Sequence, residues 1–144
     1  MLYKDKITKE LISVLIKSAF SAREKSYAPY SKFHVGAAVL GDNDKIYTGC
    51  NVENASYPAG SCAETIAVNK SVSEGVRAIN AVAIVGGADK VSDFIYPCGI
   101  CRQVISEFKG SEGVAVIIAK SEEDYKVFDI SELLPGAFSS DDMN

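Results

Sequence analysis

Two uninterrupted apolar segments place the strongest constraint on what this chain can fold into. The longest apolar runs are Ala81–Val85 and Val114–Ala119. We predict strands over Ala78–Val85 and Val114–Ala119, because short continuous apolar runs are typical of strands that are buried on both faces. Such strands need a covering layer on each side. The sequence therefore predicts helices on both faces of a central sheet, and 144 residues suffice for one domain spanning residues 1–144.

The remaining pattern supplies those covering helices and further strands. An amphipathic helix is predicted over Lys6–Ser26, and a hairpin is predicted around the turn residues Gly41–Asp44. After residue 60, helical and apolar segments alternate, which favours a layered α/β domain. The other predicted elements are strands Phe33–Leu40, Lys45–Cys50 and Lys126–Ile130, helices Cys62–Glu74 and Gly99–Phe108, a helical turn Ser131–Leu134 and a loose tail Ser139–Asn144.

Charge and hydropathy exclude several classes of partner. The 15 basic and 19 acidic side chains give a net charge of −4, so we expect no binding of long nucleic acid. No apolar run reaches the length of a membrane-spanning helix, and Met1–Lys17 lacks the continuous apolar core of a secretory signal. We therefore expect a cytoplasmic protein whose four cysteines serve metal binding or catalysis rather than disulfides.

Three of the four cysteines stand at predicted helix starts. Cys62 opens one helix as Cys-Ala-Glu, and Cys98 and Cys101 open the next as Pro-Cys-Gly-Ile-Cys. A helix N-terminus favours the thiolate, which is the form that binds metal. Three thiolates leave one position open on a tetrahedral zinc ion, the arrangement of catalytic sites. Glu64 is then the carboxylate that can move protons beside the metal.

The cysteine spacing also admits other interpretations. A Cys-x-x-Cys pair such as Cys98 and Cys101 also occurs in structural zinc sites and thiol-redox proteins, so a protein of either kind is an alternative. Cys50 is interpreted as a small buried residue at a strand end, since a fourth thiolate would close the zinc site. His34, the only histidine, is interpreted as a non-metal residue beside Phe33.

The motifs together resemble the cytidine deaminases of the small, homotetrameric, three-cysteine type. The resemblance implies a five-stranded mixed sheet in a three-layer α/β/α arrangement, the cytidine deaminase-like fold. The matching segments follow the family order over nearly the whole chain, and they are Pro29–Phe33, Val35–Ala38, Thr48–Tyr57, Cys62–Glu64, Val72–Gly75, Pro97–Gln103 and Glu132–Phe138.

This resemblance implies an activity and a cofactor. Cys62, Cys98 and Cys101 would bind Zn²⁺, and Glu64 would relay protons. The reaction would be hydrolytic deamination of cytidine and 2′-deoxycytidine to uridine and deoxyuridine, with release of ammonia, as a step of pyrimidine salvage. A nucleoside would be the substrate, and a homotetramer would be the active form.

The resemblance also assigns residues that contact the substrate. Asn51 and Glu53 would hold the ribose hydroxyls, and an amide with a carboxylate suits a sugar diol because together they donate and accept. Phe33 would pack on the pyrimidine, and the backbone around Ala63 would meet the pyrimidine carbonyl. In addition, Tyr57 and Phe138 would reach the active site of a neighbouring subunit.

One position departs from the family pattern. Most members carry an arginine directly after Cys-Ala-Glu, which is understood to hydrogen-bond to the ligand sulfurs and offset their charge, whereas this chain has Thr65. We predict that Arg102 replaces it by hydrogen-bonding to the sulfur of Cys62 or Cys98. Blasticidin S deaminases also lack the arginine, so another aminopyrimidine nucleoside is an alternative substrate, although they lack the Asn-x-Glu-Asn segment at Asn51–Asn54.

Overall fold

The computed structural model of this protein describes residues 1–144 and contains one sheet of five strands in the order β2-β1-β3-β4-β5. The central strands β3 and β4 are parallel, and every other neighbouring pair is antiparallel. The predicted mixed sheet is therefore confirmed. The strands are β1 (His34–Gly41), β2 (Ile46–Cys50), β3 (Ile79–Gly87), β4 (Ala115–Ala119) and β5 (Tyr125–Asp129).

Helices cover both faces of this sheet, as the apolar runs predict. The helix α1 (Lys9–Arg23) packs on one face, while α2 (Ala63–Ser73) and α3 (Gly99–Glu107) pack on the other, with the short α4 (Ile130–Leu133) beside α3. Alternate residues of β3 enter the two cores, because side chains of a strand point to opposite faces in turn. Ala81, Ala83 and Val85 belong to the α1 side, and Val82 and Ile84 belong to the α2 side.

The structure corrects the predictions for both ends of the chain. The first helix begins at Lys9 rather than Lys6, because the Thr8 hydroxyl accepts a hydrogen bond from the Leu11 amide and caps the helix there. The tail predicted to be loose instead forms one 3₁₀ turn over Ser140–Met143. A capping box between Ser139 and Asp142 closes that turn. No helix of the chain is both long and apolar enough to cross a membrane.

A glycine sets how closely helix α2 approaches the sheet. A Cβ atom at Gly49 of β2 would lie 2.6 Å from the carbonyl oxygen of Ala63, the first residue of α2. Only glycine permits this approach, because the clash would be with backbone atoms. The start of α2, including Cys62, therefore lies directly against the end of β2, and α3 packs beside α2.

Candidate active site

The starts of two neighbouring helices bring three cysteines together. Cys62 is the N-cap residue of α2, Cys98 is the N-cap residue of α3, and Cys101 lies in the first turn of α3. Their Sγ atoms all lie within 4.8 Å of one another, with 3.9 Å between Cys62 and Cys98. The predicted placement of all three sulfurs at helix N-termini is confirmed, and the positive ends of both helix dipoles favour thiolates there.

The donor set fits a zinc ion with one open coordination position. Zn–S bonds of about 2.3 Å in a tetrahedral site keep sulfurs about 3.8 Å apart, which matches the 3.9 Å between Cys62 and Cys98. Hydrogen bonds with Cys101 and Cys98 lower the pKa of the Cys62 thiol to about 6, although burial opposes them. Neither Cys50 nor His34 joins this cluster. The structure therefore offers three cysteine sulfurs for a metal rather than the four of a closed structural site.

A buried carboxyl group stands next to the three thiols. Glu64 is the second residue of α2 and is only 5% exposed. Burial raises the pKa of Glu64 to about 7, and the negative charge of Cys62 adds to the increase. Since this pKa lies near neutrality, the group can both accept and donate a proton at physiological pH.

A cavity of about 480 Å³ opens beside Cys62. Its wall includes Asn51, Glu53 and Tyr57 from the segment between β2 and α2. The volume lies within the range of small-molecule sites. The structure therefore brings the predicted ribose-binding pair and one predicted zinc ligand to the same cavity.

Glu53 is held in the cavity wall by residues of the motif Pro29–Phe33. Its carboxylate accepts hydrogen bonds from the backbone amides of Tyr30 and Ser31, at 3.0 and 3.1 Å, and from the Ser31 hydroxyl. These bonds lower the pKa of the Glu53 carboxyl, with the Ser31 hydroxyl contributing most. Sequence reasoning did not single out Ser31, although its place within the matched motif was the available signal.

The Asn51 amide is tied to the start of β1. Its Oδ1 atom accepts hydrogen bonds from the Val35 amide at 2.9 Å and from the Ser26 hydroxyl at 2.5 Å, and its Nδ2 atom donates to the Phe33 carbonyl at 2.8 Å. These contacts link residues that are up to 25 positions apart. Sequence reasoning therefore missed Ser26, for which no local motif gives a signal.

The other four predicted substrate residues are dispersed, and only Tyr57 shares the cavity of Asn51 and Glu53. Phe33 is half-buried over Gly86 and lines a separate cavity of about 430 Å³, while Ala63 is fully buried at the start of α2. Tyr57 is 77% exposed at the rim of the chain's own cavity, with its ring 6.2 Å from that of Tyr30. Phe138 is 59% exposed and outside that cavity. A single chain thus does not bring all six residues together.

The predicted hydrogen bond from Arg102 to a cysteine sulfur is not formed. Its guanidinium donates instead to the backbone carbonyls of Pro97 and Leu133, both at 2.7 Å, and so links the loop before α3 to α4. These two carbonyls lie in a loop and at a helix end, where they have no backbone partner, so they accept hydrogen bonds from the planar guanidinium of Arg102. The Thr65 hydroxyl, 3.3 Å from the Cys101 sulfur, makes the contact with one of the three cysteines instead.

Comparisons with known proteins agree with this site. A family model described as the cytidine and deoxycytidylate deaminase zinc-binding region matches residues 9–118. A cytidine deaminase of Sporosarcina psychrophila is 43% identical over 133 residues, which cover 92% of this chain and 95% of the relative. One of Halalkalibacterium halodurans is 44% identical over 131 residues, covering 91% and 96%. The crystal structure of cytidine deaminase from Burkholderia pseudomallei superposes with a TM-score of 0.78 at 43% identity, covering 87% of this chain and 97% of that one.

Proposed function

This chain belongs to the cytidine and deoxycytidylate deaminase family, and on that premise we propose that it hydrolyses cytidine and 2′-deoxycytidine. Water replaces the 4-amino group, so the products are uridine or deoxyuridine and ammonia. One observation carries this proposal: the three thiols and the buried Glu64 stand together beside a cavity lined by Asn51 and Glu53.

The cofactor is Zn²⁺, with Cys62, Cys98 and Cys101 as its proposed ligands. When bound, it acts as a Lewis acid that polarises a water molecule. Glu64 accepts a proton from the attacking water and delivers it to N3 of the pyrimidine. It then takes the remaining proton of the hydroxyl group added at C4 and delivers it to the departing amine, which leaves as ammonia. Its pKa of about 7 supports this role, because the same group must first take up and then release a proton.

The sugar hydroxyls are the proposed partners of Asn51 and Glu53. The Glu53 carboxylate is an acceptor and receives a hydrogen bond from a hydroxyl of the sugar. We retain Phe33 against the pyrimidine and the Ala63 backbone at the pyrimidine carbonyl as parts of this proposal. The direct contiguity of Ala63 with Cys62 and Glu64 supports the second of these.

The proposed active form is a homotetramer in the cytoplasm, acting in pyrimidine salvage, in which Tyr57 and Phe138 complete the sites of neighbouring subunits. Tyr57, Ile100 and Phe138 are among the large apolar side chains that are more than half exposed. Closed symmetric packing covers such side chains and roofs an open cavity. A reducing compartment keeps the thiol ligands free for metal.

The activity is tested by following ultraviolet absorbance with cytidine, 2′-deoxycytidine and blasticidin S in parallel, together with zinc analysis. We expect one zinc per chain and turnover of the two cytidines. Glu64→Gln should retain zinc and lose turnover, whereas Glu74→Gln, an exposed change on the same segment, should behave as wild type. Turnover of blasticidin S alone would replace the proposed substrate, and normal turnover by Glu64→Gln would remove Glu64 from the mechanism.

The role of Phe138 across subunits is tested by complementation. Phe138→Ala and Glu64→Gln chains should each be nearly inactive alone. Mixed oligomers should recover activity, because a Glu64→Gln subunit supplies an intact Phe138 to a site that contains an intact Glu64. Absence of recovery in verified mixed oligomers, or a fully active monomer in sedimentation velocity, would refute the proposed assembly.

A further inference from the structure

The only histidine of the chain ends a hydrogen-bond chain that leads to Asn51. His34 Nδ1 lies 3.0 Å from the Ser26 hydroxyl oxygen, which lies 2.5 Å from Asn51 Oδ1. The Asn51 amide also contacts the Val35 amide nitrogen and the Phe33 carbonyl oxygen. All these side-chain contacts are partly buried.

The two backbone contacts determine which group donates and which accepts in each hydrogen bond of this network. The Val35 N–H can only donate and the Phe33 carbonyl can only accept, so the side-chain oxygen of Asn51 faces Val35 and its nitrogen faces Phe33. An amide oxygen accepts only, hence the Ser26 hydroxyl donates its single proton to Asn51. The Ser26 oxygen is then left as an acceptor toward His34.

We propose that His34 is a positioning residue for nucleoside binding: its Nδ1–H donates to Ser26 and thereby holds the Asn51 amide in place. This inference rests on the proposed function for the identity of the ligand. Both acceptor sites of Asn51 Oδ1 are occupied, so Asn51 has one uncommitted Nδ2–H to offer. A sugar hydroxyl therefore accepts a hydrogen bond from Asn51 while it donates one to the Glu53 carboxylate. For a ligand without that hydroxyl, the hydrogen bonds among His34, Ser26 and Asn51 add no binding affinity.

The tautomer of His34 gives a direct test that does not depend on activity. Because the chain has one histidine, the imidazole ¹⁵N signals of the tag-free, zinc-loaded protein belong to it alone. At a pH where the ring is neutral, we expect the proton on Nδ1. A proton on Nε2 would overturn the proposal, because Nδ1 would then be an acceptor facing the Ser26 oxygen, which is also an acceptor, and no proton would lie between them.

Kinetics test the consequence for substrate binding. His34→Ala should raise KM for cytidine about fivefold, as the loss of one neutral hydrogen bond gives, with kcat changed less than twofold. KM for 2′,3′-dideoxycytidine, which lacks both sugar hydroxyls, should not change. His34→Asn should restore part of the lost binding, because its side-chain amide can also donate to Ser26. Equal losses on the two nucleosides would show a general structural defect and contradict the positioning role.

A second variant keeps the test decisive if His34→Ala folds poorly. Ser26→Ala interrupts the same series of hydrogen bonds. KM for cytidine of the double variant should therefore be no higher than that of the more impaired single variant, since both changes remove one linked interaction. Additive losses of cytidine binding would contradict a single linked series of hydrogen bonds. An inactive wild-type enzyme would overturn the proposed function, whereas the ¹⁵N tautomer would still decide whether His34 donates to Ser26.

Discussion

Replacing Glu64 by glutamine should abolish turnover by the zinc-loaded enzyme and should also make the metal-free protein more stable. The carboxyl group is buried at the start of α2, where burial raises its pKa to about 7. Glutamine has nearly the same shape but no charge to bury. We therefore expect the two proteins to differ in stability by an amount that depends on pH.

The size of the difference follows from the two pKa values. The ordinary pKa of the carboxyl is 4.5, so between pH 4.5 and about 7 the folded protein retains a proton that the unfolded chain has lost. Stability of the wild type therefore falls as pH rises through that interval and is constant above it. At 1.36 kcal/mol per pKa unit, the total loss is about 3 kcal/mol. Glu64→Gln should not suffer this loss.

Urea unfolding of the reduced, metal-free proteins measures this effect. The chain has no tryptophan and seven tyrosines, so circular dichroism at the helical band is a suitable signal. Between pH 5.5 and 8.5, the stability of Glu64→Gln relative to wild type should increase by about 2 kcal/mol. Curves that stay parallel over this range would refute the assignment of a raised pKa to Glu64.

An exposed carboxylate provides a control of opposite sign. The hydrogen bond from Lys4 lowers the pKa of Glu132, so this group stabilises the folded protein above the ordinary pKa of a glutamate and loses that effect as pH falls. Glu132→Gln should therefore lose stability relative to wild type at neutral pH and regain it in acid. The same direction of change in both variants would point to a global effect of pH rather than to burial of Glu64.

Three further changes address the metal, the sugar and the backbone. Thr65→Val should weaken zinc binding about 10-fold in chelator competition, whereas Thr65→Ser should retain it, because a hydroxyl near a ligand sulfur supports the ligand; equal affinities would dismiss that contact. Glu53→Gln should raise KM for cytidine and leave that for 2′,3′-dideoxycytidine unchanged, since its partner is on the sugar; matching losses would mean that Glu53 only shapes its loop. Gly49→Ala should destabilise the fold by about 1–3 kcal/mol in urea unfolding and reduce zinc content, because the new Cβ would displace α2; an unchanged midpoint would contradict that close approach.

Local patterns in the sequence predicted the main helices and strands and the placement of three cysteines at helix starts. The apolar runs predict β3 and β4 because their residues are buried on both faces. The placement of Cys62, Cys98 and Cys101 at helix starts could be predicted because turn residues and proline mark where a helix begins or ends. The helix starts depend on residues close by in the chain, whereas the meeting of Cys62 with Cys98 requires α2 and α3 to pack together.

Contacts between distant segments were decided only by the tertiary structure. Arg102 was expected at a sulfur because Cys101 is its neighbour in sequence, yet its donors meet carbonyls of Pro97 and Leu133, and Leu133 is 31 positions away. The bonds of Asn51 to Ser26 and to β1 likewise depend on how α1 and the hairpin pack together. A side chain hydrogen-bonds to whichever polar groups folding brings within about 3 Å, and sequence spacing does not specify that approach. For this protein, sequence alone therefore predicted the three cysteines and Glu64 as the residues of the metal centre, and the packing of the layers decided which groups hold the side chains in position.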